Sequence, residues 1–315
     1  MIGGFFILFE NAFLVQSRHI LIDIFLIFFG LASLYFFLKG TKTKERKGLL
    51  FFVLAGLSMG ACISIKWTGL GFLGFIFLLM ILQLTEQKID FKKFFKIGII
   101  LATGVFFVYF LQFWIHFSLI PGGDSEIDSY LGENFQERSF FQKIVIINGQ
   151  TFRLNQSLAL SHPDDSRFYQ WPLMEKPVDY WSKTQEGETL VKIGLFGNPV
   201  IWGLSSFGIL ISIASLFFKR LRKEIYPSTF ILFFIVYGYL VNLLPFILIP
   251  RSTFIYHYLP AYLFAILNLA IILNWVSRYN RKIFWMLIFL VILGFSVVAP
   301  ATYGFKPIVP YSILE

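Results

Sequence analysis

The chain has 315 residues, of which 57% are hydrophobic and only 14% are charged. A soluble domain carries about 25% charged residues, so this composition excludes an ordinary soluble protein and predicts a membrane protein. The single cysteine, Cys62, excludes an intramolecular disulfide. A formal net charge of +9 would suit a nucleic-acid partner, provided that the positive residues formed one binding surface.

Eight apolar segments follow one another along the chain, each about 17 to 24 residues long and nearly free of charge. A helix rises about 1.5 Å per residue, so each segment can cross a hydrocarbon layer about 30 Å thick. The predicted fold class is therefore an all-α polytopic membrane protein with eight full transmembrane helices. The segments are residues 20–39, 49–65, 67–85, 97–120, 196–218, 227–250, 254–277 and 283–303.

The remaining sequence divides the chain into three predicted parts. Residues 1–15 are apolar but too short to span comfortably. We predict that they form one half of an incomplete transmembrane helix, interrupted by Glu10, on the non-cytosolic side, which is called luminal below. With the first four spans they make up a transmembrane part over residues 1–120. A large luminal loop is predicted over 121–195 and a four-helix transmembrane region over 196–315, with a luminal C-terminal tail.

The positive charges indicate orientation rather than a ligand. Sixteen of the 27 Lys and Arg residues lie in four short clusters, which occur at every second gap between apolar segments. If each segment crosses once, all four clusters lie on one side, as the positive-inside rule requires of the cytosolic side. We therefore predict no nucleic-acid partner. The clusters lie within residues 39–47, 88–96, 219–223 and 278–282.

Two acidic residues and an arginine interrupt the apolar pattern near the luminal end of the first span. Glu10 and Asp23 lie at similar distances from a turn near Arg18, so we expect them at similar depth on adjacent helices. A charge deep in the bilayer costs about 2.5–3.5 kcal/mol, so such residues are kept when they are shallow, paired or functional. One interpretation is an acidic pair that Arg18 neutralises, with a packing role. The other is a carboxylate and arginine site at the water–lipid boundary.

Two further luminal cations occur where the sequence has no long polar loop. Lys66 separates two apolar segments, and it either snorkels to the interface or faces a luminal cavity and holds an anion. Arg251 lies in a short luminal turn that also carries Tyr256, His257 and Tyr258. Together these side chains are a dense set of donors for a phosphate or a sugar. An Arg or His at a membrane interface is also common without any ligand.

The second half of the long loop, residues 161–181, brings five aromatic rings close to three prolines. Rings with polar edges, among them Trp171 and Tyr180, suit contacts to a sugar or to a peptide acceptor. The alternative is an amphipathic helix lying on the membrane. Because no His or Cys cluster has zinc spacing and no glycine motif for phosphate binding occurs, we predict neither a metal nor another cofactor.

Four segments, in order along the chain, resemble the dolichyl-phosphate-mannose–protein mannosyltransferases and their bacterial polyprenyl-phosphate-mannose relatives. The first contains an acidic–Asn, a Gln-Ser-Arg and a Leu-Asp pattern, and the second is a Gly-rich helix that ends in Lys-Trp. The third and fourth resemble the luminal loop with the helix start that follows it, and a late luminal turn. The segments are Glu10–Asp23, Gly56–Gly69, Trp171–Pro177 with Gly197–Trp202, and Arg251–Pro260.

The resemblance implies a GT-C glycosyltransferase fold and the transfer of mannose from a polyprenyl (dolichyl) phosphate donor to Ser or Thr hydroxyls of proteins. The partners implied are that donor, a secreted or membrane protein acceptor and the lipid bilayer. Lys66 and Arg251, with His257 and Tyr258, would then bind the donor phosphate, where charge develops as the phosphate leaves. Trp171 and Tyr180 would contact the acceptor or the sugar. A single carboxylate base would invert the sugar carbon, and no metal would be needed.

Members of the family begin with a further membrane helix and a first luminal loop that bears an Asp-Glu pair, the expected base. This sequence starts after that point and also lacks the sugar-binding repeats inserted in fungal and animal members. Either Glu10 or Asp23, next to Arg18, substitutes as the base, or the chain is an incomplete gene product, which is the interpretation we favour. The short, bacterial-type loop favours a prokaryotic plasma membrane over the endoplasmic reticulum membrane of a eukaryote.

Three other functions are compatible with the pattern. The first is another GT-C transferase with a different polyprenyl-phosphate sugar, and the second is a truncated, non-catalytic membrane protein. The third is a transporter, which should place ionisable groups near the bilayer midplane in broken helices. The ionisable groups here gather near one face, which disfavours a transporter.

Overall fold

The computed structural model of the chain describes residues 2–19, 21–119, 131–132, 135–157, 162–185 and 188–306. Residues 121–130 at the start of the predicted luminal loop and most of the predicted luminal tail lie outside these residues. Most of the described chain is helical. The helices are α1 Ile2–Leu8, α2 Asn11–Arg18, α3 Ile22–Thr41, α4 Glu45–Ile65, α5 Leu70–Thr85, α6 Phe91–Leu119, α7 Phe140–Ser157, α8 Pro199–Phe217, α9 Lys219–Ile225, α10 Thr229–Leu243, α11 Leu259–Tyr279 and α12 Arg281–Tyr303.

The prediction of eight transmembrane helices is confirmed. Eight described helices are long and apolar enough to cross a membrane, and each coincides with one predicted segment. They are α3 to α6, α8, α10, α11 and α12. Short 3₁₀ turns extend three of these spans, namely Trp67–Gly69 before α5, Leu244–Leu248 after α10 and Ile255–Tyr258 before α11. The half-helix predicted over residues 1–15 is instead two short helices, α1 and α2, with a break at Phe9 and Glu10.

Contacts between residues group the chain into two compact units. Unit 1 consists of residues 1–27, 162–248 and 253–315, and unit 2 consists of residues 28–161 and 249–252. Helix α3 begins in unit 1 and continues into unit 2, and the four residues 249–252 belong to unit 2 although the chain on either side of them belongs to unit 1.

Unit 1 is built around α11, on which α1, α8, α10 and α12 pack. Two thirds (67%) of the most apolar stretch of α11 is buried inside the protein, against 17% for α12. A helix that is apolar all round is buried by protein or by lipid. Helix α11 is therefore the central helix of unit 1, and most of α12 presents its side chains to the lipid.

Unit 2 contains a close contact between α4 and α6 that depends on glycine. A Cβ atom added to Gly104 would lie 2.7 Å from the backbone carbonyl carbon of Gly56, and one added to Gly60 would lie 3.0 Å from the carbonyl oxygen of Gly104. Lipid supplies no hydrophobic driving force between transmembrane helices, so their association depends on close packing. Small residues allow that close packing. The Gly-rich stretch of α4 is therefore the surface that packs on α6.

The region predicted as one long loop contains regular structure of its own. It includes α7 and an antiparallel hairpin of β1 Val178–Gln185 and β2 Glu188–Leu195. Lys192 of β2 is buried and lies 2.9 Å from the carboxylate of Asp179 on β1. The alternative of an amphipathic helix over 161–181 is wrong, because these residues form a 3₁₀ turn at Trp171–Leu173 and then enter the first strand.

Candidate functional site

Glu10 lies at the break between α1 and α2 and is fully buried in unit 1. Its side chain caps α2 by accepting the amide hydrogen of Ala12 (3.2 Å), and the same oxygen accepts the amide of Asn198 at 2.9 Å. The other carboxylate oxygen accepts the hydroxyl of Tyr262 on α11 at 2.6 Å. Three donors therefore hold this carboxylate, which is how a buried acid is satisfied.

Asn198 extends this arrangement to two further helices. Its side-chain oxygen accepts the amides of Val200 and Ile201 and caps α8, as expected of Asn before a proline at the first helical position. Its side-chain amide donates to the carbonyl oxygens of Phe9 and Val291, both at 2.9 Å. Glu10 and Asn198 form a buried polar cluster, the Glu10–Asn198 node, which joins α1, α2, α8, α11 and α12.

Replacing Glu10 with Ala should therefore destabilise the protein. The buried amide of Asn198 and hydroxyl of Tyr262 would lose their acceptor, and we expect a loss of roughly 2–5 kcal/mol. Thermal unfolding of the purified protein in detergent, followed by tryptophan fluorescence, measures the loss. Glu10→Gln is the matched control, since its amide keeps an acceptor for Asn198 and a donor that the Tyr262 hydroxyl can accept, so its loss should be clearly smaller. Equal unfolding temperatures for Glu10→Ala and the unaltered protein would contradict a structural role.

Asp23 differs from Glu10 in exposure and in position. It lies in the first turn of α3 and is 8% exposed, whereas Glu10 is 0% exposed. The two predicted acids are therefore not equivalent, and Asp23 is the one with surface outside the protein interior.

The end of α2 and the luminal hairpin meet beside Asp23. The side-chain amide of Gln16 donates to the hydroxyl of Tyr180 at 2.8 Å, and the ring of His19 lies 5.5 Å from the Tyr180 ring. Burial raises the pKa of Tyr180, and the nearby Asp23 carboxylate and the ionisable hydroxyl of Tyr256 raise it further. Tyr180 therefore remains a neutral hydrogen-bonding group beside the Asp23 carboxylate.

Arg18, the predicted partner of the two acids, is exposed at the end of α2. Its guanidinium lies 4.6 Å from the centre of the Tyr303 ring at the end of α12, which is the geometry of a cation–π contact. The contact with Tyr303 holds the Arg18 side chain near the end of α2, which also carries Gln16 and His19. Arg18, Asp23 and Tyr180 therefore all belong to unit 1.

Trp171, His257 and Tyr258 are buried and form an aromatic wall inside unit 1. The Trp171 ring lies 6.2 Å from the His257 ring and 6.4 Å from the Tyr258 ring. The indole N–H of Trp171 donates to Ser166 at 3.0 Å, and Tyr258 is 3.2 Å from the hydroxyl of Tyr239. Almost none of the surface of these rings is exposed to solvent, so their role is to hold neighbouring residues in place.

The loop before the aromatic wall is tied to the late luminal turn. Thr253 donates its amide to the Asp165 carboxylate at 3.0 Å and its hydroxyl to the Ser166 carbonyl at 2.6 Å. The amide of Ser166 donates in return to the carbonyl of Thr253 at 2.8 Å. The residues directly after Arg251 therefore have a fixed backbone path.

Lys66 and Arg251 both belong to unit 2, although they are far apart in sequence. Lys66 follows α4 directly as its C-cap, in an extended conformation that turns the chain towards α5. Both side chains are half-buried, and both make further interactions within the protein. Unit 2 thus carries the two cations predicted for a phosphate, and unit 1 carries both acids.

Several groups of this region are not evident from the sequence. Asn198 is recognisable as a helix cap, but its contacts with Phe9 and Val291 depend on the tertiary fold. Asp165 lies in a loop whose partner is distant in sequence, and Gln16 belongs to the Gln-Ser-Arg pattern, which does not indicate its contact with Tyr180. Within the described part of the chain, His, Cys, Asp and Glu side chains do not gather in groups of three that could hold a metal ion.

The fold is that of a known polytopic glycosyltransferase. The solved structure of the Saccharomyces cerevisiae protein O-mannosyltransferase Pmt1-Pmt2 complex bound to the sugar donor matches with a TM-score of 0.77 at 16% identity. The match covers 96% of this chain and 74% of that chain. At this identity the likeness shows the fold alone, and it bears out the predicted GT-C architecture.

Sequence relatives identify the family more closely. Residues 1–120 match the family described as dolichyl-phosphate-mannose-protein mannosyltransferase. Residues 140–309 match the C-terminal four TMM region of protein-O-mannosyltransferase. The chain therefore belongs to the protein O-mannosyltransferase family, as the resemblance of its four segments predicted, and it is a multi-pass membrane protein.

Individual relatives come from fungi, animals and bacteria. Dolichyl-phosphate-mannose–protein mannosyltransferase 1 of Saccharomyces cerevisiae is 29% identical over 56% of this chain and 22% of its own length. Human protein O-mannosyl-transferase 1 is 31% identical over 50% of this chain and 24% of its own length. The polyprenol-phosphate-mannose–protein mannosyltransferase of Corynebacterium glutamicum is 25% identical over 72% of this chain. The chain spans about half of that bacterial relative, 52%, and about a fifth of the yeast one.

Proposed function

We propose that this protein transfers mannose from a polyprenyl-phosphate donor to Ser or Thr hydroxyls of protein acceptors at the luminal face of its membrane. The observation that carries the proposal is the match of two family regions, which together account for residues 1–120 and 140–309. Both predicted acids and Arg18 lie in the first region with Lys66, and Arg251 lies in the second. The relatives' names supply the donor and the acceptor class, which we extend to this chain.

The donor phosphate is assigned to the cations of unit 2. As the bond from the sugar carbon to the phosphate oxygen breaks, negative charge develops on the phosphate. Lys66 and Arg251 would stabilise that charge, and an arginine can bind two phosphate oxygens at once. With these cations we propose that no metal ion is required. His257 is a support in this proposal, because it accepts the amide of Phe254 at 3.1 Å and closes the turn that follows Arg251.

The general base is assigned to Asp23 rather than Glu10. A base must come within about 2.6–3.2 Å of the proton that it removes. The oxygens of Glu10 are fully buried and already accept three hydrogen bonds. Asp23 is largely buried but keeps 8% of its surface exposed, and it lies near Tyr180. In the proposed reaction Asp23 accepts the proton of the acceptor hydroxyl, whose oxygen attacks the sugar carbon as the phosphate leaves from the opposite side, with inversion.

The acceptor contacts are assigned to the hairpin. Tyr180 is half-buried next to Asp23 and keeps its hydroxyl in the neutral form, so it can pack against an acceptor peptide and hydrogen-bond to it. Trp171 is fully buried, and in this proposal it holds the loop behind Tyr180. Arg18, fixed on Tyr303, would orient the donor or the acceptor at the same surface.

A direct assay tests the function. Membranes that contain the full chain are incubated with radiolabelled polyprenyl-phosphate mannose and a Ser/Thr-rich peptide. We expect label on the peptide, none on a peptide in which every Ser and Thr is replaced by Ala, and no inhibition by a chelator. Labelling from polyprenyl-phosphate glucose in preference to mannose would replace the proposed sugar. Absence of label with correctly inserted protein would contradict the proposed activity.

A further inference from the structure

A cavity lies at the basic end of unit 2, on the side that the positive-inside rule assigns to the cytosol. Its volume is about 500 Å³, which is in the range of roughly 300–1,000 Å³ typical of small-molecule sites. It is lined by residues of the α3–α4 connection, the start of α4, the α5–α6 connection and the start of α6. It is called the cytosolic cavity below, and the proposed transfer reaction does not use it.

One side of the cytosolic cavity is polar and positively charged. Its lining includes four lysines and one acid, which is an excess of three positive charges: Lys88, Lys92, Lys93, Lys96 and Asp90. The acid is already engaged, because a carboxylate oxygen of Asp90 accepts the amide of Lys93 at 2.7 Å and caps α6. Lys88 forms an ion pair with Glu86. The polar groups of Thr43 and Gln87 complete this side.

The other side of the cytosolic cavity is apolar and reaches into the membrane-spanning part of unit 2. Phe52 of α4 and Ile97 of α6 line it and are buried against neighbouring helices. Ile97 lies six residues into α6, which corresponds to a depth of about 9 Å by helical rise. The cavity therefore extends from the charged interface to the depth of the acyl chains, and its lining changes from positively charged to apolar along that path.

We propose that the cytosolic cavity binds the headgroup of an anionic glycerophospholipid from the cytosolic leaflet. The lipid phosphate contacts the lysines, and the first part of an acyl chain lies along Phe52 and Ile97. Basic pockets between transmembrane helices on the cytosolic side suit anionic headgroups for this reason. A free phosphate ion would use the lysines but not the apolar wall. A zwitterionic lipid suits the cavity less well, because the positive group of its headgroup would be repelled by the lysines.

The test measures lipid binding to the purified full chain. Protein in a neutral detergent is titrated with phosphatidylglycerol, phosphatidylcholine or inorganic phosphate, and its thermal unfolding temperature is followed. We expect a saturable rise with phosphatidylglycerol alone. In the triple variant Lys92→Gln, Lys93→Gln, Lys96→Gln, the half-saturating lipid concentration should increase by at least about tenfold, since each lysine near the membrane surface contributes about a fivefold effect.

Two further variants separate the cavity from general charge. Lys219→Gln, Arg222→Gln, Lys223→Gln removes the same charge from another cytosolic cluster, and it should leave the half-saturating concentration nearly unchanged. Leu49→Trp keeps every lysine but fills the lining of the cavity, and it should weaken binding as the first triple variant does. Equal effects of the two triple variants, equal responses to both lipids, a response to inorganic phosphate, or no saturable response would each overturn the proposal.

Discussion

Asp23→Asn is expected to reduce mannose transfer by about 10²–10⁴-fold, because a positioned general base contributes about that much to a proton transfer. The amide keeps the size of the side chain but cannot accept the proton of the acceptor hydroxyl. The protein should still fold, since Asp23 is not part of the Glu10–Asn198 node. The measurement is the initial rate of labelled mannose transfer, with the unfolding temperature of each variant recorded in parallel.

Two controls make this result specific to Asp23. Glu10→Gln should retain most of the transfer activity, because in our proposal Glu10 has a structural role. Glu175→Gln neutralises an exposed carboxylate in the luminal loop and should leave the rate unchanged. If Glu10→Gln abolished transfer in a folded protein while Asp23→Asn did not, the assignment of the base would be reversed.

Arg251→Ala is expected to reduce transfer by about 10²–10³-fold, which is the usual effect of removing a group that stabilises developing charge in a transition state. The loss should appear in kcat as well as in kcat/KM, because the phosphate gains charge as the sugar leaves. Arg251→Lys should retain part of the activity, since lysine supplies the charge without the two-point contact. Initial rates at several donor concentrations separate the two constants.

The control for Arg251 is an arginine of the same face without an assigned role. Arg153→Ala removes an exposed arginine of α7 and should leave both kinetic constants unchanged. Unaltered transfer by a folded Arg251→Ala protein would remove Arg251 from the proposed phosphate site, and it would leave Lys66 as the only assigned cation of unit 2.

The transmembrane helices were predictable because each is apolar over a full bilayer thickness. The amino-acid composition of one segment is enough to indicate such a helix, without any knowledge of the neighbouring helices. The turn at Lys66 could also be predicted, since a lysine and a glycine interrupt an otherwise continuous apolar hairpin. The Gly-rich surface of α4 was visible as a pattern, but the sequence did not indicate that α6 is its partner.

The polar groups of unit 1 could not be predicted in the same way. Glu10 and Asp23 have similar sequence surroundings, yet Glu10 lies inside the Glu10–Asn198 node, whereas Asp23 lies outside it and keeps a small exposed surface. The difference is caused by Asn198 and Tyr262, which are distant in sequence. The hairpin and α7 were missed because a loop of mixed composition carries no single periodicity. Local patterns therefore identified candidate residues without separating a structural acid from the proposed base.

The Glu10–Asn198 node has a consequence for the order in which the protein assembles. The hydroxyl that completes the Glu10 carboxylate is 252 residues further along the chain, and Asn11 donates to a threonine hydroxyl 291 residues away. During synthesis α1 and α2 are made long before those groups exist. The segment that carries Glu10 and Asn11 therefore reaches its final state only when α11 and α12 arrive and supply the missing hydrogen bonds.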